Sequence, residues 1–351
     1  MTAKTNIRNL SVESLSDALL KMGEKKFRAK QIHEWLWKKS AIDFDSMTNL
    51  SAPLRDHLNS NYFIGNIKIA ETQVSRDRTI KVAFQLVDDH IIEGVLIPTE
   101  KRMTACVSSQ VGCSLSCKFC ATGKLERKRN LDPGEIYDQV VVLSKLAKEQ
   151  YDIPLSNIVF MGMGEPLLNY ANVLQGIEHI TGKDGLNMAS KRITLSTAGI
   201  SKMIKKLADD QVKFNLALSL HAANDLKRSQ IMPINDSNNL EVLKEAIKYF
   251  YEKTENQITL EYIVFKNFNE SISDAEELAA FAKAFPCKIN LIEYNPVGAD
   301  GFSRADEKKT DAFKSILERK GLITNIRRSR GRDIDAACGQ LANKNKVSES
   351  T

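Results

Sequence analysis

No stretch of the sequence approaches the ~18 to 20 consecutive apolar residues of a membrane-spanning helix. The opening segment MTAKTNIRNLSVESLSDALL likewise lacks the apolar core of a secretory leader. A cytoplasmic protein without a membrane partner is therefore expected. Internal repeats and low-complexity tracts are missing, which excludes solenoids and fibrous arrays. An excess of one charge is missing too: 50 Lys and Arg stand against 44 Asp and Glu, and a formal charge of +6 leans only mildly toward polyanionic partners. Cysteine is scarce, with six in 351 residues, too few for a disulfide-stapled scaffold. In a reducing compartment their spacing signals metal binding, redox chemistry or core packing. What is present, 42% hydrophobic and 27% charged residues, excludes disorder. The length allows roughly two domains, or one barrel-sized domain with an accessory module.

Residues 1–62 read as a small basic helical module. Ser11 is placed to cap LSDALLKM, and FRAKQIHEWLWKKS carries Ile32, Trp35 and Leu36 at helical spacing. Residues 63–100 change to β-rich alternation in NIKIAETQV, IKVAFQLV and IIEGVLIP, with Asp88-Asp89 as a turn, which predicts a short antiparallel insert. From 101 to 340 strands and helices alternate, the pattern of a parallel sheet with crossover helices. The strands are MTACVSS, NIVFM, RITLST, FNLALSL, ITLEYIVF, KINLIEY and LITNIR. Among the helices, the one after Asp132-Pro133-Gly134-Glu135 is marked by an N-cap, a first-turn Pro and a capping-box acid, with Ile136, Val140, Leu143 and Leu146 on one face. Six or so such units in this length predict an α/β fold, a partial barrel rather than the eightfold one. Residues 341–351 read as a disordered tail.

Cys113, Cys117 and Cys120 have the spacing C-x3-C-x2-C, just after the first strand of the α/β region. Three thiolates in one loop can hold three irons of a [4Fe–4S] cluster, leaving the fourth iron open to a substrate. A structural zinc site wants four closed ligands, and no fourth Cys or His lies nearby. Zinc and an inert Cys-rich loop remain the alternatives from the motif alone. Further polar residues fall at strand C-termini, where barrel active sites are built. The turn Gly162-Met163-Gly164-Glu165-Pro166 follows NIVFM; its glycines allow close backbone approach and Glu165 can accept from an ammonium. Ser196 closes RITLST, Ser219, Leu220 and His221 close LALSLH, and Asn295 follows LIEYNP's strand. Singly, each is a turn or cap residue; together they form a candidate ring around a cofactor.

The cysteine spacing resembles that of radical S-adenosylmethionine enzymes, whose fold is a partial (β/α)6 barrel. CVSSQVGCSLSCKFCATG, MGMGEPLLN, STAG, SLHA and DIDAACGQLA further resemble the RlmN-type methyltransferases over essentially the whole chain. The resemblance implies methylation of carbon 2 of an adenine in 23S ribosomal RNA and in tRNA, a [4Fe–4S] cluster on Cys113, Cys117 and Cys120, and S-adenosylmethionine bound by Gly164, Glu165, Ser196, Ser219, Leu220, His221 and Asn295. It implies two S-adenosylmethionine molecules per turnover. One methylates Cys338; the second yields a deoxyadenosyl radical that takes a hydrogen from that methyl, and the methylene radical adds to the ring as a protein–RNA adduct. Cys106 then attacks the Cys338 sulfur, releasing RNA and leaving a disulfide, and Glu93 matches the base that removes the ring proton.

Without the resemblance, Glu93 is a solvent-facing strand residue and Cys338 a small core hydrophobe. Cys287 keeps that core reading and has no role. Lys124, Arg127, Lys128 and Arg129 follow the cysteine loop, and Arg327, Arg328, Arg330 and Arg332 precede Cys338. Such runs are usually solvated; flanking both halves of the chemistry, they read as phosphate contacts. Lys25, Lys26, Arg28, Lys30, Lys38 and Lys39 make the N-terminal module a second RNA-contact candidate. A monomer served by an external donor such as flavodoxin or ferredoxin is expected. The nearest rival is a Cfr-type carbon-8 methyltransferase, against which Pro166 and Glu93 resemble the carbon-2 branch. A rival of another class, a non-enzymatic iron–sulfur RNA-binding protein, leaves Cys106 and Cys338 unexplained.

Overall fold

The computed structural model describes residues 4–100, 102–298 and 301–343. Of the expected tail, residues 344–351 lie outside the described residues, whereas Leu341 is buried and Ala342 and Asn343 are hydrogen-bonded.

The N-terminal module contains α1 (Val12–Lys21), α2 (Phe27–Trp37) and α3 (Ala52–Asn61). The Ser11 side chain caps α1 by accepting from the Ser14 amide at 3.1 Å, an interaction that satisfies one of the orphan first-turn donors. In α2, Ile32, Leu36 and Trp37 are buried; Trp35 sits at the margin, its indole donating to Asn49 at 2.6 Å. Trp37 stacks on His179 with ring centroids 3.6 Å apart, and Arg8 forms a buried 2.6 Å ion pair with Asp138. These contacts seat the module on two helices of the barrel.

One ten-stranded sheet organises the rest. Its strands are β1 (Lys68–Val74), β2 (Ile80–Gln85), β3 (Ile91–Pro98), β4 (Met103–Cys106), β5 (Asn157–Phe160), β6 (Ile193–Thr197), β7 (Asn215–Ser219), β8 (Ile258–Val264), β9 (Lys288–Glu293) and β10 (Ile323–Arg327). Spatial order follows chain order from β1 to β10. The first four strands pair antiparallel, and β4 through β10 pair parallel. The antiparallel strands thus extend the barrel sheet rather than form a second layer. The crossovers carry α4 (Pro133–Tyr151), α5 (Tyr170–Thr181), α6 (Ser201–Asp209), α7 (Asp225–Ile231) with α8 (Leu240–Thr254), α9 (Ile272–Ala282) and α10 (Glu307–Arg319). This is the partial barrel expected from the alternation.

The capping box at α4 is formed: the Asp132 amide donates to Glu135 at 2.9 Å, and Ile136, Val140 and Leu143 turn to the sheet. Strand β8 is almost wholly buried, as a parallel strand covered on both faces must be. Asp89, with φ of 64°, makes the turn between β2 and β3. None of the helices among the described residues is long and apolar enough to cross a membrane.

Candidate active site

All the polar residues singled out in the barrel lie at or just beyond strand C-termini, because each parallel strand delivers its last side chains to the same rim. An inner cleft of about 890 Å³, counted to its open mouth, is lined by Cys113, Cys117, Cys120, Gly164, Glu165, Ser196, Ser219, His221 and Cys338. Leu220 is fully buried and Asn295 nearly so, and neither lines this cleft. The Asn295 amide donates to the Cys338 carbonyl at 3.3 Å, and its own Oδ1 is buried without a hydrogen-bond partner among the described residues.

The walls are preset by hydrogen bonds. Glu165 accepts from the Leu167 amide at 3.1 Å and from the Ala198 amide at 2.8 Å, tying the turn after β5 to the end of β6. Burial pushes its carboxyl up from the ordinary range, against the pull of these donors. Ser196 and Ser219 place their hydroxyls 3.4 Å apart across β6 and β7. His221 adopts φ of 57° and accepts at Nδ1 from the Ile263 amide at 3.1 Å. Burial, with Arg228 nearby, lowers its pKa to about 3, so the ring is neutral and its proton sits on Nε2. Gly164 lines the cleft, but its missing Cβ serves packing: at φ of 97°, a Cβ would lie 2.5 Å from the Gln110 Cβ. Its backbone nonetheless faces the cleft.

Burial raises all three cluster-motif thiols, Cys113 to about 11, with the neighbouring cysteine charges adding to the effect on Cys117. Three desolvated thiols at one wall ionise together only against a concentrated positive charge, which an iron–sulfur cluster supplies. Among the described residues no three His, Cys, Asp or Glu side chains converge on a single-ion geometry; thiolates on separate irons stand farther apart. With the unpartnered Asn295 Oδ1, the neutral His221 and the paired hydroxyls, the donor set fits a cluster and an amino-acid-bearing cosubstrate.

An outer cleft of about 820 Å³ adjoins the first, sharing Met161, Ile292, Arg327, Cys338 and Gly339, and adds Cys106, Val95 and Ile97. Cys106 ends β4 opposite Val95 on β3, and alternation puts Glu93 on the same face as Val95. Glu93 is 1% exposed, so the solvent-facing reading of that residue is corrected. It pairs with Lys81 at 3.3 Å and accepts from the Ala342 amide at 2.8 Å. Cys338, by contrast, is exposed and not a core residue. Cys287 does pack against the core.

The strap bearing Cys338 is held on both sides. Asp333 accepts from the Ser75 hydroxyl at 2.5 Å, and the Gly331 amide donates to Asp77 at 2.9 Å. Beyond Cys338, the Thr122 hydroxyl donates to the Leu341 carbonyl at 2.6 Å. All six cysteines are free, so the Cys106–Cys338 disulfide implied by resemblance is not a feature of this structure.

Several basic residues expected to meet phosphate are already engaged. Arg129 bridges Asp88 and Glu135, Arg328 pairs with Glu293 and Glu307, and Arg332 pairs with Glu293. Arg327 turns inward to Glu261 at 3.4 Å. The sequence reading missed Glu261 and Arg228. Glu261, a carboxylate inside the apolar run ITLEYIVF, carried a signal; Arg228, which donates to the carbonyls of Ala198, Ser219 and Leu220, carried none.

A partial parallel barrel with three thiols at its rim defines a radical S-adenosylmethionine enzyme, and residues 107–282 match the family model described as the radical SAM superfamily. Residues 5–64 match the ribosomal RNA large subunit methyltransferase N-terminal domain. The chain is 60% identical to a probable dual-specificity RNA methyltransferase RlmN of Cytophaga hutchinsonii, over 97% of this chain and 93% of that one. It is 42% identical to the corresponding protein of Staphylococcus saprophyticus, over 99% and 95%. The crystal structure of a radical SAM methyltransferase from Sphaerobacter thermophilus superimposes with a TM-score of 0.89 at 38% identity, covering 96% of this chain and 99% of that one. The chain belongs to the RlmN family of dual-specificity RNA methyltransferases.

Proposed function

We propose that this enzyme methylates carbon 2 of an adenine in 23S ribosomal RNA and in tRNA, with Cys338 as carrier of the one-carbon unit and Cys106 as the group that releases the product. The observation that carries this reading is the outer cleft, where Cys106 from the barrel and Cys338 from the C-terminal strap share one wall. Carbon 2 of adenine is an electron-poor sp2 carbon and does not attack a sulfonium methyl as an amine would, so a carrier and a radical route answer a chemical need. The cluster on Cys113, Cys117 and Cys120 and S-adenosylmethionine, two molecules per turnover, supply the methyl group and the radical chemistry that activates it. Glu165, Ser196, Ser219, His221 and Asn295, with Gly164 and Leu220 in the adjoining backbone, hold and orient that cosubstrate.

The exposed Cys338 sulfur presents the one-carbon unit to the base, Glu93 takes the ring proton, and Cys106 attacks the Cys338 sulfur to leave a disulfide. The adenine must leave its stack to reach the cleft, which favours a loop or locally opened RNA. The basic N-terminal module supports RNA docking. Reduction by a flavodoxin or ferredoxin, a monomeric state and a cytoplasmic site of action complete the proposal.

The test incubates the reconstituted protein anaerobically with S-adenosylmethionine, a reductant and each RNA, and identifies nucleosides by mass spectrometry. Methylation at carbon 2 is expected; carbon-8 product would assign the Cfr-type activity instead. Cys106→Ala should accumulate a denaturation-resistant protein–RNA adduct, and Cys338→Ala none. Normal turnover by Cys106→Ala would overturn its role.

A further inference from the structure

Cys106 is a buried thiol in a wall of apolar residues, and a buried thiol is a poor nucleophile unless something stabilises its anion. Among the described residues, the outer cleft is lined by three cations, Arg327, Arg328 and Arg330, and by no acid. Arg328 is taken by Glu293 and Glu307, and Arg330 donates to the Asp77 carbonyl at 3.3 Å. Arg327 is different. It ends β10, lines both clefts beside Cys338, and reaches the Met161 sulfur at 3.8 Å. Glu261, itself 4% exposed and held by Asn290 at 2.8 Å, fixes the guanidinium from behind.

We propose that Arg327 is a positioning residue that keeps Cys106 as a thiolate once Cys338 has become a thioether. The inference rests on the carrier reading above. While Cys338 is a free thiol, two sulfurs compete for one guanidinium. Alkylation of Cys338 removes its charge and leaves Arg327 to Cys106 alone. Burial and the neighbouring Cys338 push the Cys106 thiol up to about 12, whereas the Met161 amide and Arg327 pull it down. Those are the groups that face it: Cys338 on the strap, Arg327 on β10, the Met161 amide after β5, and the uncharged Val95 on β3. In the assisted step the Cys106 thiolate attacks the Cys338 sulfur and an S–S bond forms. The bond from that sulfur to the methylene carbon breaks, its electron pair goes to the carbon, and a solvent proton completes the methyl group.

The experiment compares Arg327→Met and Arg327→Lys with wild-type holoenzyme, following decay of the protein–RNA adduct. Loss of a nearby cation shifts a thiol by about one pKa unit, so Arg327→Met should release RNA about tenfold more slowly at neutral pH and recover as pH rises. Arg327→Lys should restore most of the rate. A second arm needs no turnover: peptide-resolved alkylation of Cys106 against pH, in a Cys338→Ser background that mimics the uncharged carrier. Its midpoint should rise in Arg327→Met. Release as fast as wild type, or an unmoved alkylation midpoint, overturns the proposal. Absence of any adduct in a Cys106→Ala control would instead overturn the carrier reading, while the alkylation arm still reports on the Arg327–Cys106 pair.

Discussion

The amide of Ala121, one residue beyond the last cluster-motif cysteine, donates to the carbonyl of Gly339, one residue beyond Cys338, at 2.7 Å. With the Thr122 hydroxyl bond to the Leu341 carbonyl, it sets the cysteine loop against the strap that bears Cys338. The place of Cys338 at the rim of the inner cleft is thereby fixed in part through the backbone.

Gly339→Ala should disturb it. Gly339 has φ of 83°, and a Cβ there would lie 3.0 Å from the Phe119 carbonyl. The left-handed conformation costs an L residue about 1–2 kcal/mol, and the contact adds strain. We expect a small fall in melting temperature, an unchanged iron–sulfur absorbance and a large fall in RNA methylation. Full activity would mean that the strap does not need this register.

Cluster assembly should depend on three cysteines only. Alanine at Cys113, Cys117 or Cys120 should abolish the visible absorbance after anaerobic reconstitution, whereas alanine at Cys106, Cys287 or Cys338 should leave it. Cys287 is half-buried against the core, so Cys287→Ala should cost modest stability and nothing else. A colourless, folded Cys287→Ala protein would refute this ligand assignment.

The Lys81–Glu93 ion pair is 2% and 1% exposed, and breaking a buried pair from one side typically costs about 3–5 kcal/mol. Lys81→Met should therefore destabilise strongly by chemical denaturation. The double variant Lys81→Met/Glu93→Gln should recover part of that loss. Strict additivity of the two single effects would indicate that the charges do not interact.

Stability should fall on acidification as His179 is forced to ionise. Burial, with His33 and Arg8 nearby, lowers its pKa to about 4, while the unfolded chain takes up the proton near 6.5. The unfolded state binds more protons between those values, so stability is full above pH 6.5 and is lost as pH falls toward 4. His33 and His221 are lowered by burial as well and act in the same direction. In His179→Phe, which keeps a ring to stack on Trp37, the slope of melting temperature against pH over this window should be shallower. An unchanged slope would show that His179 ionisation does not carry the acid sensitivity.

Much of the barrel was legible because its information is local. Alternation marked β4 through β10, and Asp132 with Glu135 marked the start of α4, since strand periodicity and capping each involve residues a few positions apart. The cysteine motif was legible for the same reason: its three thiols fall within eight residues, and the spacing is read without any tertiary contact. Burial of Glu93 was not, because Lys81 on the neighbouring strand and the amides of Ala342 and Asn343 come from distant chain segments. Nor could a row of arginines before Cys338 disclose that Arg328 and Arg332 are neutralised by Glu293 while Arg327 turns inward to Glu261. Charge pairing is decided by which strands and loops become neighbours. Composition and spacing therefore determined the class of chemistry and the strand rim that bears it, while packing alone decided which charged groups pair with one another and which line the clefts.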